Sequence, residues 1–181
     1  MRENRNSIFA FLELPDYLTL LGGVFGIVAM IASINAAYLS AAVFMILSVL
    51  CDFYDGKLAR LIDRKNKVFG EVLDTSVDTV SFVVTPVIYG YSLGLNSTIA
   101  IALMIVFAMA ALLRLARFSC VKTTDKGYFL GMPVTYNNLI FPISYLAMHA
   151  IGFDGFITIL FSILFAVTTI LMSSTIKWIK F

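Results

Sequence analysis

The stretch CDFYDGKLARLIDRKNKVFGEVLDTSVDTVSF, Cys51 to Phe82, holds six of the chain's 11 acidic residues within a sequence that is 60% hydrophobic. Asp52 and Asp55 are three apart, which puts them about 60° apart around a helix. Gly70, Asp74 and Asp78 follow at steps of four and share one helical stripe. If the two segments pack as a hairpin, the four aspartates face each other. A carboxylate buried in or beside a bilayer costs several kcal/mol unless something compensates it. Four of them in a partly dehydrated site need cations, and hard oxygen donors suit Mg²⁺, Mn²⁺ or Ca²⁺. No paired His or Cys accompanies them, which disfavours zinc and a Glu-x-x-His di-iron bundle.

The elements that must position these acids are membrane spans. With 181 residues and 13% charged, the chain reads as one integral-membrane domain of the all-α class. Apolar runs near the 20 residues needed to cross a bilayer recur over about 17–34, 37–58, 69–93, 97–118, 136–151 and 155–173, giving six transmembrane helices. Ahead of them, Ile8, Phe11 and Leu12 at helical spacing predict a short amphipathic interfacial helix within 1–16, ending at Pro15. The N-terminus lacks the apolar core and cleavage site of a signal peptide, so the first span is expected to remain as an anchor. Cys51 and Cys120 form no spaced set and read as reduced, packed thiols.

Charge orients the bundle. With six spans, all 13 Lys and Arg residues fall on one side with both termini. The opposite loops offer only His149 and Asp154. Cytoplasmic loops collect Lys and Arg, so the basic side, with both termini and the aspartates, is expected to face the cytosol. A net charge of +2 and the lack of a basic, aromatic platform argue against nucleic acid as a partner.

Three readings of the acids compete. They pair with Lys57, Arg60 and Arg64 as interfacial salt bridges; they line an ion-transport path; or they hold metal for an enzyme acting on a phosphate-bearing substrate. Nothing ionisable continues across the bilayer midplane, which weighs against transport. Gly56, Ala59 and Gly70 leave room for a ligand between facing helices, and Arg60 adds a guanidinium suited to phosphate.

The pattern Asp52-x2-Asp55-Gly56-x2-Ala59-Arg60-x9-Gly70-x3-Asp74-x3-Asp78 resembles the signature of the CDP-alcohol phosphotransferases. These are six-helix membrane enzymes, typically homodimeric, that displace CMP from a CDP-linked alcohol. The resemblance implies two divalent cations, Mg²⁺ or Mn²⁺, on Asp52, Asp55, Asp74 and Asp78, with Asp78 also the general base. It implies that Gly56, Ala59, Arg60 and Gly70 receive the CDP moiety. LPDYLTL, Leu14 to Leu20, is similar to the family's first-span entry, which adds Thr19 to the CDP site; Asp16 stands where that entry often has Asn.

A second stretch, LLRLARFS at Leu112 to Ser119 followed by YFLGMPVTYNN at Tyr128 to Asn138, resembles the serine-specific branch of that family. The implied partners are a CDP-linked lipid, with diacylglycerol or archaeol tails, and L-serine. Glycerol phosphate or inositol phosphate is the alternative acceptor. Arg114 and Arg117 are candidates to clamp the serine carboxylate, Glu71 to pair with its ammonium, and Asn137 and Asn138 to line its pocket. Lys122 would also suit a phosphorylated acceptor. Pro86 and Pro142 lie within spans and are expected to shape helices.

Overall fold

In the computed structural model, residues 8–62, 64–120 and 128–179 are described. The expectations placed on Arg2, Arg5, Asp63, Lys122, Lys126 and Lys180 lie outside them. Six α-helices make up most of the described chain: α1 Leu14–Ile34, α2 Tyr38–Leu61, α3 Lys67–Ser92, α4 Thr98–Cys120, α5 Asn137–Ala150 and α6 Ile157–Ser173. Two three-residue strands, β1 Tyr128–Leu130 and β2 Lys177–Ile179, pair antiparallel.

Hydrogen bonds and contacts fix how the helices alternate. At one end the start of α1 meets the end of α2 (Thr19 to Asp55, 2.6 Å), and α3 meets the end of α4 (Thr75 to Ser119, 3.1 Å). The start of α5 meets the end of α6 there, where Asn137 Nδ2 lies 3.6 Å from Met172 Sδ. At the far end the Tyr38 hydroxyl donates to the Ser92 carbonyl at 2.6 Å. Tyr145 stacks on His149, whose Nδ1 lies 3.3 Å from the Asp154 carboxylate. The β1–β2 pairing returns the C-terminal strand to the acid end.

Five of these segments are long and apolar enough to cross a membrane: 14–34, 38–61, 67–92, 98–120 and 154–173. The predicted span at 136–151 is shorter. Its helix has 14 residues, a rise of about 21 Å against a hydrocarbon core of about 30 Å. The segment before it is held back from helix by Gly131, which has a φ of +77° and lies against the Met172 carbonyl at the end of α6. The N-terminus also differs from expectation. The described part of the interfacial segment is a four-residue 3₁₀ turn, Ile8–Phe11. Pro15 opens α1 instead of closing an earlier helix, because a first-turn residue needs no N–H donor.

In lipid, helices associate by close packing more than by apolar burial. Gly22, Gly23 and Gly26 let α1 nest between α2 and α3. An added Cβ at Gly22 would lie 3.2 Å from Cys51, and one at Gly26 would lie 2.6 Å from the Ser81 hydroxyl. On the other side of the bundle Phe107, Phe141, Phe161 and Phe165 are wholly buried. Their rings interlock, with centroids 5.0 Å apart for Phe107 and Phe165 and 4.5 Å for Phe141 and Phe165. Cys51 is buried as expected, whereas Cys120 is exposed at the end of α4.

Candidate active site

The hairpin of α2 and α3 brings the acids together as their spacing requires. Carboxylate oxygens of Asp52, Asp74 and Asp78 all lie within 4.8 Å of one another. They line one cleft, whose wall also includes Asp55, Thr19 and Gly22. Asp55 is buried on the same wall and accepts the Thr19 hydroxyl at 2.6 Å. Two unit charges 4 Å apart repel by about 4 kcal/mol at an effective dielectric of 20, so this grouping is costly without a countercharge.

The nearby basic residues make no ion pair with these carboxylates, although Arg64 acts at longer range on Asp55 and Asp74 and Arg114 on Asp78. Among the described residues none of the four carboxylates is ion-paired: Arg64 pairs with Asp16, Lys57 lies 4.2 Å over the Phe53 ring, and Arg60 Nε donates to the Gly56 carbonyl at 3.0 Å. The salt-bridge reading of the acids is therefore incorrect for these three partners. The fit to divalent cations is good on chemistry alone, since the cluster is all oxygen, acceptor-only and gathered in one cleft.

The remaining candidates fall into two groups. Gly56 faces open space, with no heavy atom within 4 Å of an added Cβ, and Ala59 is half-buried on the next turn of α2. Gly70 is buried beneath the Arg64 guanidinium, which occupies the place a side chain would take. Arg60, Glu71 and Arg117 are exposed. Arg114 is half-buried on α4, interacts electrostatically with Asp78, and has an Nε without a hydrogen-bond partner among the described residues. Asn137 and Asn138 are 0% exposed and bond to α2, α3 and α6, reaching Ser48, Ser81 and Phe82 on the wall of the cleft. Asp16, which stands where the family's first-span entry often has Asn, accepts the Glu13 N–H at 2.8 Å and pairs with Arg64, tying the α2–α3 connection to the start of α1. Glu13 reinforces this tie by accepting the Lys65 and Asn66 N–H groups.

Two features escaped the sequence reading. Thr135, in the turn before α5, donates to Asp52 Oδ2 at 3.3 Å; nothing in a lone threonine signals that. Immediately after Asp78, α3 runs as a π-helix over Thr79–Val84 before resuming at Thr85–Ser92. Pro86 was the visible sign, since π-turns and prolines both mark interruptions of the α ladder.

A bundle of apolar helices with this carboxylate cleft defines an integral-membrane class of protein with an acidic site. The CDP-alcohol phosphatidyltransferase family model matches residues 12–176, and the chain belongs to that family. It is similar to the CDP-diacylglycerol–serine O-phosphatidyltransferase of Saccharomyces cerevisiae, 30% identical over 84% of this chain and 61% of that protein. It is also similar to the archaetidylserine synthase of Methanothermobacter thermautotrophicus, 30% identical over 94% of this chain and 72% of that protein. A CDP-diacylglycerol–serine O-phosphatidyltransferase of Methanocaldococcus jannaschii is 31% identical over 97% of this chain and 78% of that protein. The match thus spans less than two thirds of the yeast relative.

Proposed function

We propose that the protein transfers a phosphatidyl-type group from a CDP-linked lipid to the hydroxyl of L-serine, with release of CMP. The observation that carries this is the cluster of Asp52, Asp74 and Asp78 in one cleft, within a chain of this family whose relatives bear serine-transferase names. Asp52, Asp55, Asp74 and Asp78 would hold two divalent cations, Mg²⁺ or Mn²⁺. Bound there, the cations neutralise the pyrophosphate and stabilise the departing CMP.

The chain's own residues do the rest. Asp78 accepts the serine hydroxyl proton as that oxygen forms its bond to the β-phosphorus; the bond from the β-phosphorus to the bridging oxygen breaks, and CMP leaves with the electron pair. Gly56 and Ala59 give the CDP moiety close access to α2, beside Gly70, Arg60 and Thr19. Arg114 is the best-placed group for the serine carboxylate, because a half-buried guanidinium with an unused N–H is ready for a bidentate partner. Arg117 and Glu71 are outer contributors. Asn137 and Asn138 serve the protein more than the substrate.

In this reading the whole chain is one membrane domain with six crossings, α5 and its preceding turn completing the sixth where the bilayer is locally covered by protein. Both termini and the cleft face the cytosol, where Lys and Arg collect. The enzyme works as a homodimer, with diacylglycerol or archaeol tails lying along apolar outer grooves. The test is purified protein with CDP-lipid, Mn²⁺ and either L-serine, glycerol phosphate or inositol phosphate, following CMP. Release that depends on serine supports the reading; release only with a phosphorylated alcohol would overturn the serine assignment.

A further inference from the structure

The helix that carries Asp78 changes register directly after it. Over Thr79–Val84 the backbone follows the π pattern, and the Thr85 N–H donates to the Val80 carbonyl. That spends the donor Ser81 would receive in an α-helix. The i+5 donor for Ser81 would be Pro86, which has no N–H. Phe82 loses its α-helical donor to the same proline. The Ser81 carbonyl is thereby without a donor in either pattern and Phe82 without its α-helical one, so side chains of a neighbouring helix have carbonyls to serve, as membrane interiors require.

The partners come from α5. Asn138 Nδ2 donates to the Ser81 carbonyl at 2.9 Å, and Asn137 Nδ2 approaches the Phe82 carbonyl at 3.3 Å. Both side chains are fully buried. Asn138 Nδ2 also reaches the Ser48 hydroxyl at 3.0 Å, one helical turn before Asp52. The pair therefore ties the turn after one cluster aspartate to the turn before another. A π-turn inserts one residue and shifts helix phase by about 100°, so its retention decides where Asp78 points relative to the half of α3 anchored by buried Tyr89.

We propose that Asn137 and Asn138 are positioning residues for Asp78: their amides stabilise the Thr79–Val84 register by serving the Ser81 and Phe82 carbonyls, and so hold Asp78 against Asp52 and Asp74. The inference rests on the reading of those carboxylates as a divalent-cation centre. Substitutions supporting a metal ligand from behind typically cost about 10–100-fold in metal affinity or activity.

The experiment is a cycle of four proteins: wild type, Asn137→Leu, Pro86→Ala and the double variant. Mn²⁺ affinity is measured by electron paramagnetic resonance without substrate, and folding by circular dichroism and size-exclusion chromatography. Asn137→Leu is expected to lose about tenfold or more in Mn²⁺ affinity, or to fail to fold. Pro86→Ala returns an N–H next to the Phe82 carbonyl, so the double variant is expected to recover folding and most of the affinity. A folded Asn137→Leu protein with wild-type Mn²⁺ affinity would overturn the proposal, as would a double variant as impaired as Asn137→Leu alone. Wild-type protein that binds no Mn²⁺ would sink the cation-centre reading itself, which is a separate outcome.

Discussion

Two buried polar groups lie a helical turn apart in this bundle and behave in opposite ways. The asparagine pair spends its amide donors on protein: Asn138 on the Ser81 carbonyl and Ser48 hydroxyl, Asn137 on the Phe82 carbonyl. The carboxylate cluster gathers three acids within 4.8 Å; Thr135 donates to Asp52, Thr19 to the adjoining Asp55, and Arg114 acts electrostatically on Asp78, but no ion pair joins the cluster among the described residues. The first arrangement is complete in its donors. The second has no ion-paired carboxylate among the described residues, and a bound cation would supply the countercharge. The protein meets the asparagines' donors, although both Oδ1 atoms lack a hydrogen-bond partner among the described residues; it gives the carboxylates no ion pair, and that open need marks the cleft as a site.

The sharpest way to break that comparison is at Asp78. Asp78→Asn keeps shape and removes the proton acceptor, so turnover is expected to fall by about 10²–10⁴-fold in a CMP-release assay while the CDP-lipid still binds. Normal turnover would remove Asp78 from the role of base. The architectural side is tested at Gly26, where a Cβ would strike Ser81. Gly26→Val should destabilise the bundle by about 1–3 kcal/mol, as overpacking does, read as a lower thermal midpoint in detergent.

A smaller effect is expected at the edge of the cleft. Arg114→Ala should raise the KM for serine more than it lowers kcat, since its proposed task is to bind a substrate carboxylate; an unchanged KM would argue for a purely structural role. The smallest belongs to the far end. His149→Ala alters an exposed pair with Asp154, and stability is expected to stay within about 0.5 kcal/mol, with turnover unchanged. A large loss there would mean that the functional region extends beyond the carboxylate end.

The helical class, the hairpin and the meeting of Asp52, Asp74 and Asp78 were legible in the sequence, because helical period converts spacing directly into facing. The clustering of the start of α1 with the end of α2 was legible too, from where the Lys and Arg residues fall. What spacing could not reveal was partner choice. Arg64 pairs with Asp16 rather than with the cluster, because the α2–α3 connection folds back over Gly70. Asn137 and Asn138 read as pocket residues because two adjacent amides near a substrate segment look like ligands. Their bonds to Ser48, Ser81 and Phe82 on the cleft wall follow from a register change in another helix, of which Pro86 was the local trace. Pro15 was misread for a related reason: a proline ends a helix in its interior but starts one in its first turn.

The central claim is that this cleft is a cation-dependent site for transfer from a CDP-linked lipid to serine. The most direct measurement is CMP release by the purified, chelator-treated protein with CDP-lipid and L-serine, as Mn²⁺ is titrated back. The account predicts no release without Mn²⁺, saturable release with it, and none when serine is left out. Serine-dependent release that persists undiminished in the chelated protein would contradict it.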